Sequence, residues 1–490
     1  MATRPSWRLL VRTSSLRRMR SLPSAGRRRD EPLVELGPDI LECDASWFIP
    51  VILRAQVFKK LPGGWSAMLR AIMRQLLVGL VSFSCVGVLV HLEVNTAMRV
   101  AFQLTVNLQA LITDGEGMAK CVQWNGHASM MPCWGHCNVC KKTISMVDEA
   151  LGFVDITCSG HARLKGWPPA ELQRNVESVL EARRLWARRE ITKGRWEEVI
   201  KAAGFAPTDG GLLSDRDLLG GTLKLRWQYD WMHNAFQAGF MSEAMWLVFK
   251  NIAILKFGSI GAGGDSMIGY LRQCQFPQCR RSVGRGLHHL FAPEMLKKHN
   301  SHGYIVANAS VQFTLYAVVR AWATMEAEDD AQKEHLLVYL TVSRIIDIIR
   351  RVKHRQLSTA CAKPMLLSGI AAWLELHKAK YGKAHIKPKY AWMWLFSKRL
   401  EDCEWLFDMF YVERQHQIIR AQAELVKNTS TFESSVLFRV VDAQCESLRK
   451  SNPLEDSYQL VGRRVPVAGA IVGFLADACV SGGNANTHEY

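Results

Sequence analysis

Apolar and polar positions along this chain follow two different periods. Trp47 to Leu53 (WFIPVIL) is a short apolar run that predicts a strand, with Pro50 placing it at an edge or bulge. Gly63-Gly64 turns the chain. Trp65, Met68, Leu69, Ile72 and Leu76 then recur at three-to-four spacing, the mark of an amphipathic helix. No charge appears from Leu76 to Leu92, a length close to the roughly 20 residues a membrane-spanning helix needs. The second half of that run argues for strand instead. Val88, Val90, Leu92 and Val94 alternate with Leu89, His91 and Glu93, and Asn95-Thr96-Ala97 can turn. Phe102, Leu104, Val106 and Leu108 then alternate with polar residues, so the pair predicts a buried β-hairpin rather than a span.

From about Pro169 to Lys380 the period is helical. Leu172, Val176, Val179 and Leu180 begin one helix, and Ala309 to Met325 and His335 to Val352 hold others. Gly258 to Gly264 is glycine-rich but lacks a following Lys-Ser/Thr, so it reads as a flexible loop and not a phosphate-cradling P-loop. Thr431 to Arg449 predicts a further helix, and the polar Ser481 to Tyr490 a disordered tail.

Composition sharpens this. With 490 residues, 48% of them hydrophobic, the chain can bury a substantial core in two or three regions. Its 16 tryptophans argue against general disorder. A formal charge of +17 points to a polyanionic partner, nucleic acid first and an anionic membrane surface second. Thirteen cysteines in a chain this long fit no compact secreted disulfide scaffold, which favours a reducing compartment. Residues 1–29 carry nine arginines and no acid. That composition suits an organelle transit peptide, a basic DNA-binding arm or a wrongly assigned gene start.

Several clusters carry candidate chemistry. Cys133, His136, Cys137 and Cys140 precede Cys158 and His161. The two-residue gaps Cys137-x2-Cys140 and Cys158-x2-His161 let paired side chains reach one tetrahedral zinc, with Cys133 and His136 as an alternative first pair. Buried, inert cysteines with a surface histidine are the competing explanation. Cys274-x4-Cys279 is a weaker pattern. Asp230 and His233, three apart, share one helix face, where they can hydrogen-bond or orient a metal ligand; Asp230 equally suits a helix N-cap. Asp114-Gly115-Glu116-Gly117 ends the second hairpin strand with an acid, a position that also suits a plain turn. Finally, Glu413, Arg414 and His416 begin a helical stretch that continues through Ile418, Ile419 and Arg420. A carboxylate, an imidazole and guanidiniums there suit a divalent metal beside phosphate, or an ordinary solvated helix face.

Three stretches, KPKYAWMW (387–394), FDMFYVERQH (407–416) and KNTSTFESSVL (427–437), resemble the C-terminal signature of a transposase-derived family related to the CACTA (En/Spm-type) DDE transposases. The order of ITDGEGMAKCVQWNGHASMMPCWGHCNVC (112–140) and the Asp230–His233 element is similar to the same family. The resemblance implies an α+β or α/β fold: an RNase H-like mixed sheet interrupted by a large, mostly helical insertion and a small zinc-binding insertion. With it, the chain divides into a basic disordered arm (1–33), the first part of the core (34–120), the Cys/His insertion (121–168), the helical insertion (169–385), the C-terminal core (386–450) and a terminal extension with a disordered tail (451–490). It implies that Asp114 and Glu413 are the second and third acids of a site holding magnesium or manganese, supported by Asp230 and His233. Lys387, Lys389, Arg414 and Arg420 would contact phosphate. The first acid is Asp39, Asp44 or lost, and Ala391 and Trp394 stand where the family usually places histidines. These departures imply a degenerate copy truncated at its N-terminus.

The resulting expectation is a nuclear DNA-binding protein with zinc, either retaining metal-dependent strand cleavage or acting by binding alone. A homo-oligomer is left open. An organellar, membrane-associated protein is the third reading, with the mitochondrion or plastid as its location.

Overall fold

The computed structural model describes residues 7–18, 63–78, 88–95, 98–113, 115–126, 129–141, 151–218, 226–276, 281–403, 406, 418–428, 430–450, 459–460 and 463–464. The expected strand at Trp47–Leu53, Asp39, Asp44, Cys279 and the terminal tail lie outside them. The described strands are β1 (Trp7–Arg18), β2 (Val88–Asn95), β3 (Met98–Thr113), β4 (Val139–Cys140), β5 (Val154–Asp155), β6 (Arg226–Tyr229), β7 (Gln459–Leu460) and β8 (Arg463–Arg464). The first helices are α1 (Gly64–Leu77), α2 (Gly115–Cys121), α3 (Pro169–Ala187), α4 (Lys193–Ala203), α5 (Trp231–Phe236), α6 (Phe240–Phe257) and α7 (Ile260–Gln273). They are followed by α8 (Arg281–Gly286), α9 (Pro293–His302), α10 (Ala309–Glu326), α11 (Asp330–Lys353), α12 (Thr359–Tyr381), α13 (Trp394–Cys403) and α14 (Phe432–Lys450). Two compact units divide the chain: residues 1–8, 111–207 and 226–410 form one, and 9–110, 208–225 and 411–490 the other.

The smaller unit contains α1 and the hairpin. Helix α1 buries Met68 and Leu69 of the predicted stripe together with Ser66 and Met73, while Trp65, Ile72 and Leu76 are half-buried. On a neighbouring face, Arg70 Nε and Arg74 Nη1 reach Asp215 Oδ2 at 2.7 and 2.5 Å. Burial works to raise the Asp215 pKa, but the hydrogen bonds from the two arginines outweigh it and hold the carboxyl below its usual value. Strands β2 and β3 pair antiparallel from Val88 opposite Leu104 to Asn95 opposite Met98, with an irregularity between Glu93 and Asn95. In the sheet order β3 lies between β1 and β2.

The larger unit is built around α6. Its residues are buried on nearly every side, from Phe240 through Phe249, Ile252 and Ala253. Helices α7, α10 and α11 pack on it, and α12 packs along α11. The stretch Trp231–Phe257 is long and apolar enough to cross a membrane, yet 72% of its apolar window is buried inside the fold. Helix α11 begins with a capping box, Asp329 accepting from the Gln332 backbone while the Gln332 side chain accepts from Asp329 N.

Two sequence expectations are corrected here. The glycine-rich stretch at 258–264 is not simply a loop: Ser259 caps α7, whose first turn it enters by accepting from Ala262 N. The glycines serve close packing. A Cβ at Gly263 would sit 2.2 Å from Ala253 Cβ, and one at Gly264 would sit 2.6 Å from Leu296 Cδ1. Only hydrogen at these positions lets α7 lie this close to its neighbours.

The second correction concerns fold class. The described residues are mostly α-helical and hold no RNase H-like mixed sheet. A mixed sheet needs successive strands long enough to pair, joined by crossovers. After β3 the described residues hold only the two-residue parallel pair β4–β5, the four-residue β6 and the two-residue antiparallel pair β7–β8. The start of the expected C-terminal core adds no strand: Pro388–Met393 forms a 3-10 turn that runs into α13. Tyr390, Ala391, Trp392, Met393, Trp394, Leu395 and Phe396 are all buried. A continuous apolar run of this kind has no period, so strand and helix cannot be told apart from it.

Candidate functional site

The residues singled out by sequence fall in several places. Asp114, Glu413, Arg414 and His416 lie outside the described residues. Asp230 is buried at 1% exposure and caps α5, its Oδ1 accepting from Met232 N at 2.9 Å. Its other oxygen contacts His233 Nδ1, so the capping acid and the histidine form one pair. Lys387 Nζ is 2.6 Å from Glu243 Oε2, and Lys389 Nζ donates to Gln237 O at 2.8 Å. Arg420, in the helical residues 418–424, pairs with Glu424 at 3.0 Å.

The Cys/His stretch is organised by a residue the spacing did not indicate. Asn138 is buried; its Nδ2 donates to Gly152 O (2.7 Å) and Arg163 O (2.8 Å), and its Oδ1 accepts from Lys165 N (2.8 Å). Three chain segments are tied through one amide. The sulfur and imidazole groups around it point to separate partners. Cys133 Sγ lies 3.2 Å from His136 Nδ1, Cys137 Sγ donates to Lys165 O at 3.4 Å, and Cys140 Sγ reaches Met131 Sδ at 3.9 Å. Cys158 Sγ faces Gly160 O at 3.5 Å, and the His161 ring sits 5.7 Å from that of Trp394. Burial pushes the Cys133 thiol up to about 12 and the His136 imidazole down to about 3, so both are held neutral. Among the described residues no group of three or more His, Cys, Asp or Glu is gathered to hold a metal ion. The six candidates do not form a zinc ligand set in this arrangement.

Behind Lys387 lies a polar cluster within the apolar core. Glu243, on α6, is 2% exposed. Its carboxylate accepts from Tyr390 Oη (2.6 Å) and faces Lys387 Nζ (2.6 Å) and His385 Nδ1 (3.3 Å). Desolvation first, and the Glu243 charge second, push the Tyr390 phenol well above its ordinary pKa. His377 is fully buried beside this group, and neither ring nitrogen has a hydrogen-bond partner. A buried, partnered carboxylate of this kind braces α6 against residues 385–390.

A basic cavity of about 710 Å³ lies on another part of the same unit. Arg320 from α10, Arg344, Asp347, Ile348, Arg350 and Arg351 from α11, His354 and Gln356 from the following turn, and Met365 from α12 line it. Four guanidiniums against one carboxylate leave a formal excess of three positive charges, with His354 counted neutral. Residues 344, 347, 348 and 351 of α11 are spaced i, i+3, i+4, i+7 and so share one face.

The inner members of this cavity are fixed by a relay. Arg350 Nη1 donates to Tyr316 Oη (2.7 Å), Tyr316 Oη donates to Asp347 Oδ1 (3.0 Å), and Arg320 Nη1 meets Asp347 Oδ2 (2.5 Å). The Arg350 guanidinium also lies 5.4 Å from the Phe313 ring centre. Burial acts to lower the Arg320 pKa, but the hydrogen bond and charge of Asp347 prevail and raise it. Burial, and then the Asp347 charge, raise that of Tyr316, so its proton stays in place. By contrast, among the described residues neither Arg344 nor Arg351 has a side-chain hydrogen-bond or ion-pair partner.

The floor of the helix is shaped for this. Arg355 adopts the left-handed conformation (φ 55°), while its N–H bonds to Val352 O and Gln356 N–H to Arg351 O. These are the two bonds of a Schellman ending, with arginine where glycine is usual. Cations in the last turn are favoured by the helix dipole. That effect accounts for Arg350, Arg351 and Lys353 but not for Arg344, two turns earlier, nor for Arg320 on a different helix. The α11 spacing was visible in the sequence; the contributions of Arg320 and Met365 required the tertiary fold. Comparison with protein-family models, curated proteins and solved structures finds no match to this chain.

Proposed function

We propose that this protein binds nucleic acid through its phosphates, using the arginine-lined cavity between α10, α11 and α12. The observation that carries the reading is the pair Arg344 and Arg351: two unpaired guanidiniums on one helix face, opening on a concavity whose single acid is already engaged by Arg320 and Tyr316. Arginine forks match phosphate oxygens bidentately, and unpaired like charges gathered in a cavity favour an anionic guest. The overall charge of +17 adds long-range attraction for a polyanion. Strand cleavage is not part of the proposal. Asp114 and Glu413 lie outside the described residues, and the RNase H-like sheet that would align them is not among those described.

The test is binding of a fluorescein-labelled 20-nucleotide DNA, followed by anisotropy across a salt series. The wild type is expected to bind with log K falling linearly in log salt. Arg344→Ala/Arg351→Ala is expected to weaken binding and to reduce the slope by about one to two. Unchanged affinity and slope in a folded double variant would overturn the reading.

A further inference from the structure

Which part of a nucleic acid fits such a site follows from its shape. Taken as a sphere, a volume of about 710 Å³ is about 11 Å across, less than the ~12 Å width of the DNA major groove and so less than the whole duplex. A duplex can lie across the opening but cannot enter. The cavity is open on one side, but an internal phosphodiester of a single strand brings a sugar on each side of it and so makes the more crowded approach. The end of a strand has only one. We propose that the cavity receives the terminal phosphate monoester of a single strand; this rests on the nucleic-acid reading given above.

Charge supports the same choice. An internal diester brings one negative charge, whereas a terminal monoester carries about −1.5 to −2 at neutral pH with three strong acceptor oxygens. The cavity offers a formal excess of three positive charges, which the monoester offsets more fully. The division of labour among the arginines fits. Arg320 and Arg350 are anchored through Asp347 and Tyr316 and cannot swing to follow a moving strand. Arg344 and Arg351 are unpaired and exposed, seven residues apart along α11, with their forks available to converge on a phosphate between them. A fixed inner pair and a mobile outer pair make a receptor for a group presented end-on.

The experiment compares single-stranded 20-mers that differ only in a 5′-phosphate or 5′-hydroxyl, with adenosine 5′-monophosphate as competitor. The phosphorylated strand is expected to bind about tenfold tighter, the scale of one charge-assisted hydrogen-bonded contact. Adenosine monophosphate should remove that increment and leave the hydroxyl strand bound. In Arg344→Ala/Arg351→Ala the increment should vanish. In Arg344→Lys/Arg351→Lys, which keeps the charge but loses the fork, the hydroxyl strand should bind as in the wild type while the increment shrinks. An increment below twofold in the wild type, or one that persists in the alanine variant, overturns the inference. Should the strands bind salt-dependently through these arginines yet ignore the terminal phosphate, only the terminal-phosphate proposal fails. If neither strand binds, the nucleic-acid reading fails with it.

Discussion

Replacing His377 by phenylalanine should make the larger unit more stable, and increasingly so as the solution is acidified. The imidazole is fully buried on α12 with both nitrogens unpaired, packed between the rings of Trp373 (5.1 Å), Tyr381 (5.0 Å) and Tyr390 (5.8 Å). Burial dominates its titration and pushes it down to about 4; Glu243 opposes this, His385 and Lys387 add to it, and the His385 backbone tempers it without reaching hydrogen-bond geometry. The unfolded chain therefore binds a proton near pH 6.5 that the folded chain refuses until about pH 4. Stability is fully present above pH 6.5 and falls as pH drops through that window. The fall amounts to about 3 kcal/mol for the interval between the two pKa values.

His377→Phe removes that loss and also the two unsatisfied nitrogens, whose burial costs about 1 kcal/mol or more at any pH. The expected difference from wild type is thus about 1 kcal/mol at pH 7.5, growing to about 4 kcal/mol near pH 4. Histidines 136, 299 and 335, also held neutral by burial, remain in both proteins and cancel in the comparison. Urea titrations followed by tryptophan fluorescence at pH 7.5, 6.0, 5.0 and 4.0 would measure it. A gap that stays constant with pH would refute the argument that this imidazole is the acid-sensitive group. So would a variant less stable than wild type at pH 7.5.

Other outcomes follow from the packing. Asn138→Ala strands two carbonyls and an amide that the side chain now satisfies, and should lower stability by about 2–4 kcal/mol in thermal unfolding. Arg355→Gly relieves a left-handed conformation on a β-carbon-bearing residue and should add about 1 kcal/mol in urea titration; a loss would show that the arginine side chain is needed there. Gly263→Ala should destabilise by about 1–3 kcal/mol because its new methyl meets Ala253 at 2.2 Å, and Ala253→Gly in the same chain should recover part of that; additive losses would contradict the contact.

Periodic segments were legible in the sequence and aperiodic ones were not. The helix over Met68 and Leu69 and the strand over Val88–Val94 are read directly because each pattern repeats with the period of its element. The same is true of α10 and α14, whose observed bounds lie within one residue of the predicted helices, and of α11, which begins five residues before the predicted His335. The run Tyr390–Phe396 is buried on all sides and so reports no face; only the resemblance places it in an RNase H-like core, and the described residues hold no such sheet. Two-residue gaps between cysteines signal a metal only when the loop brings four ligands to one point. Here an amide, Asn138, gathers the loop, and amide hubs leave no spacing signature. The cavity shows the same limit. Arg344, Asp347, Ile348 and Arg351 trace one helical face, but what faces them is set by α10 and α12.

The clasp on Glu243 has a consequence for how the chain emerges from the ribosome. Tyr390 lies 147 positions after the carboxylate to which it donates, and Lys387 and His385 only slightly fewer. At roughly 5–20 residues per second the nascent polypeptide carries that acid for about 7–30 s before its partners are synthesised. During that interval α6 has its apolar surface available but no counterion for its first turn. Final docking of the helix must wait, which makes translation order itself a constraint on when this core can close.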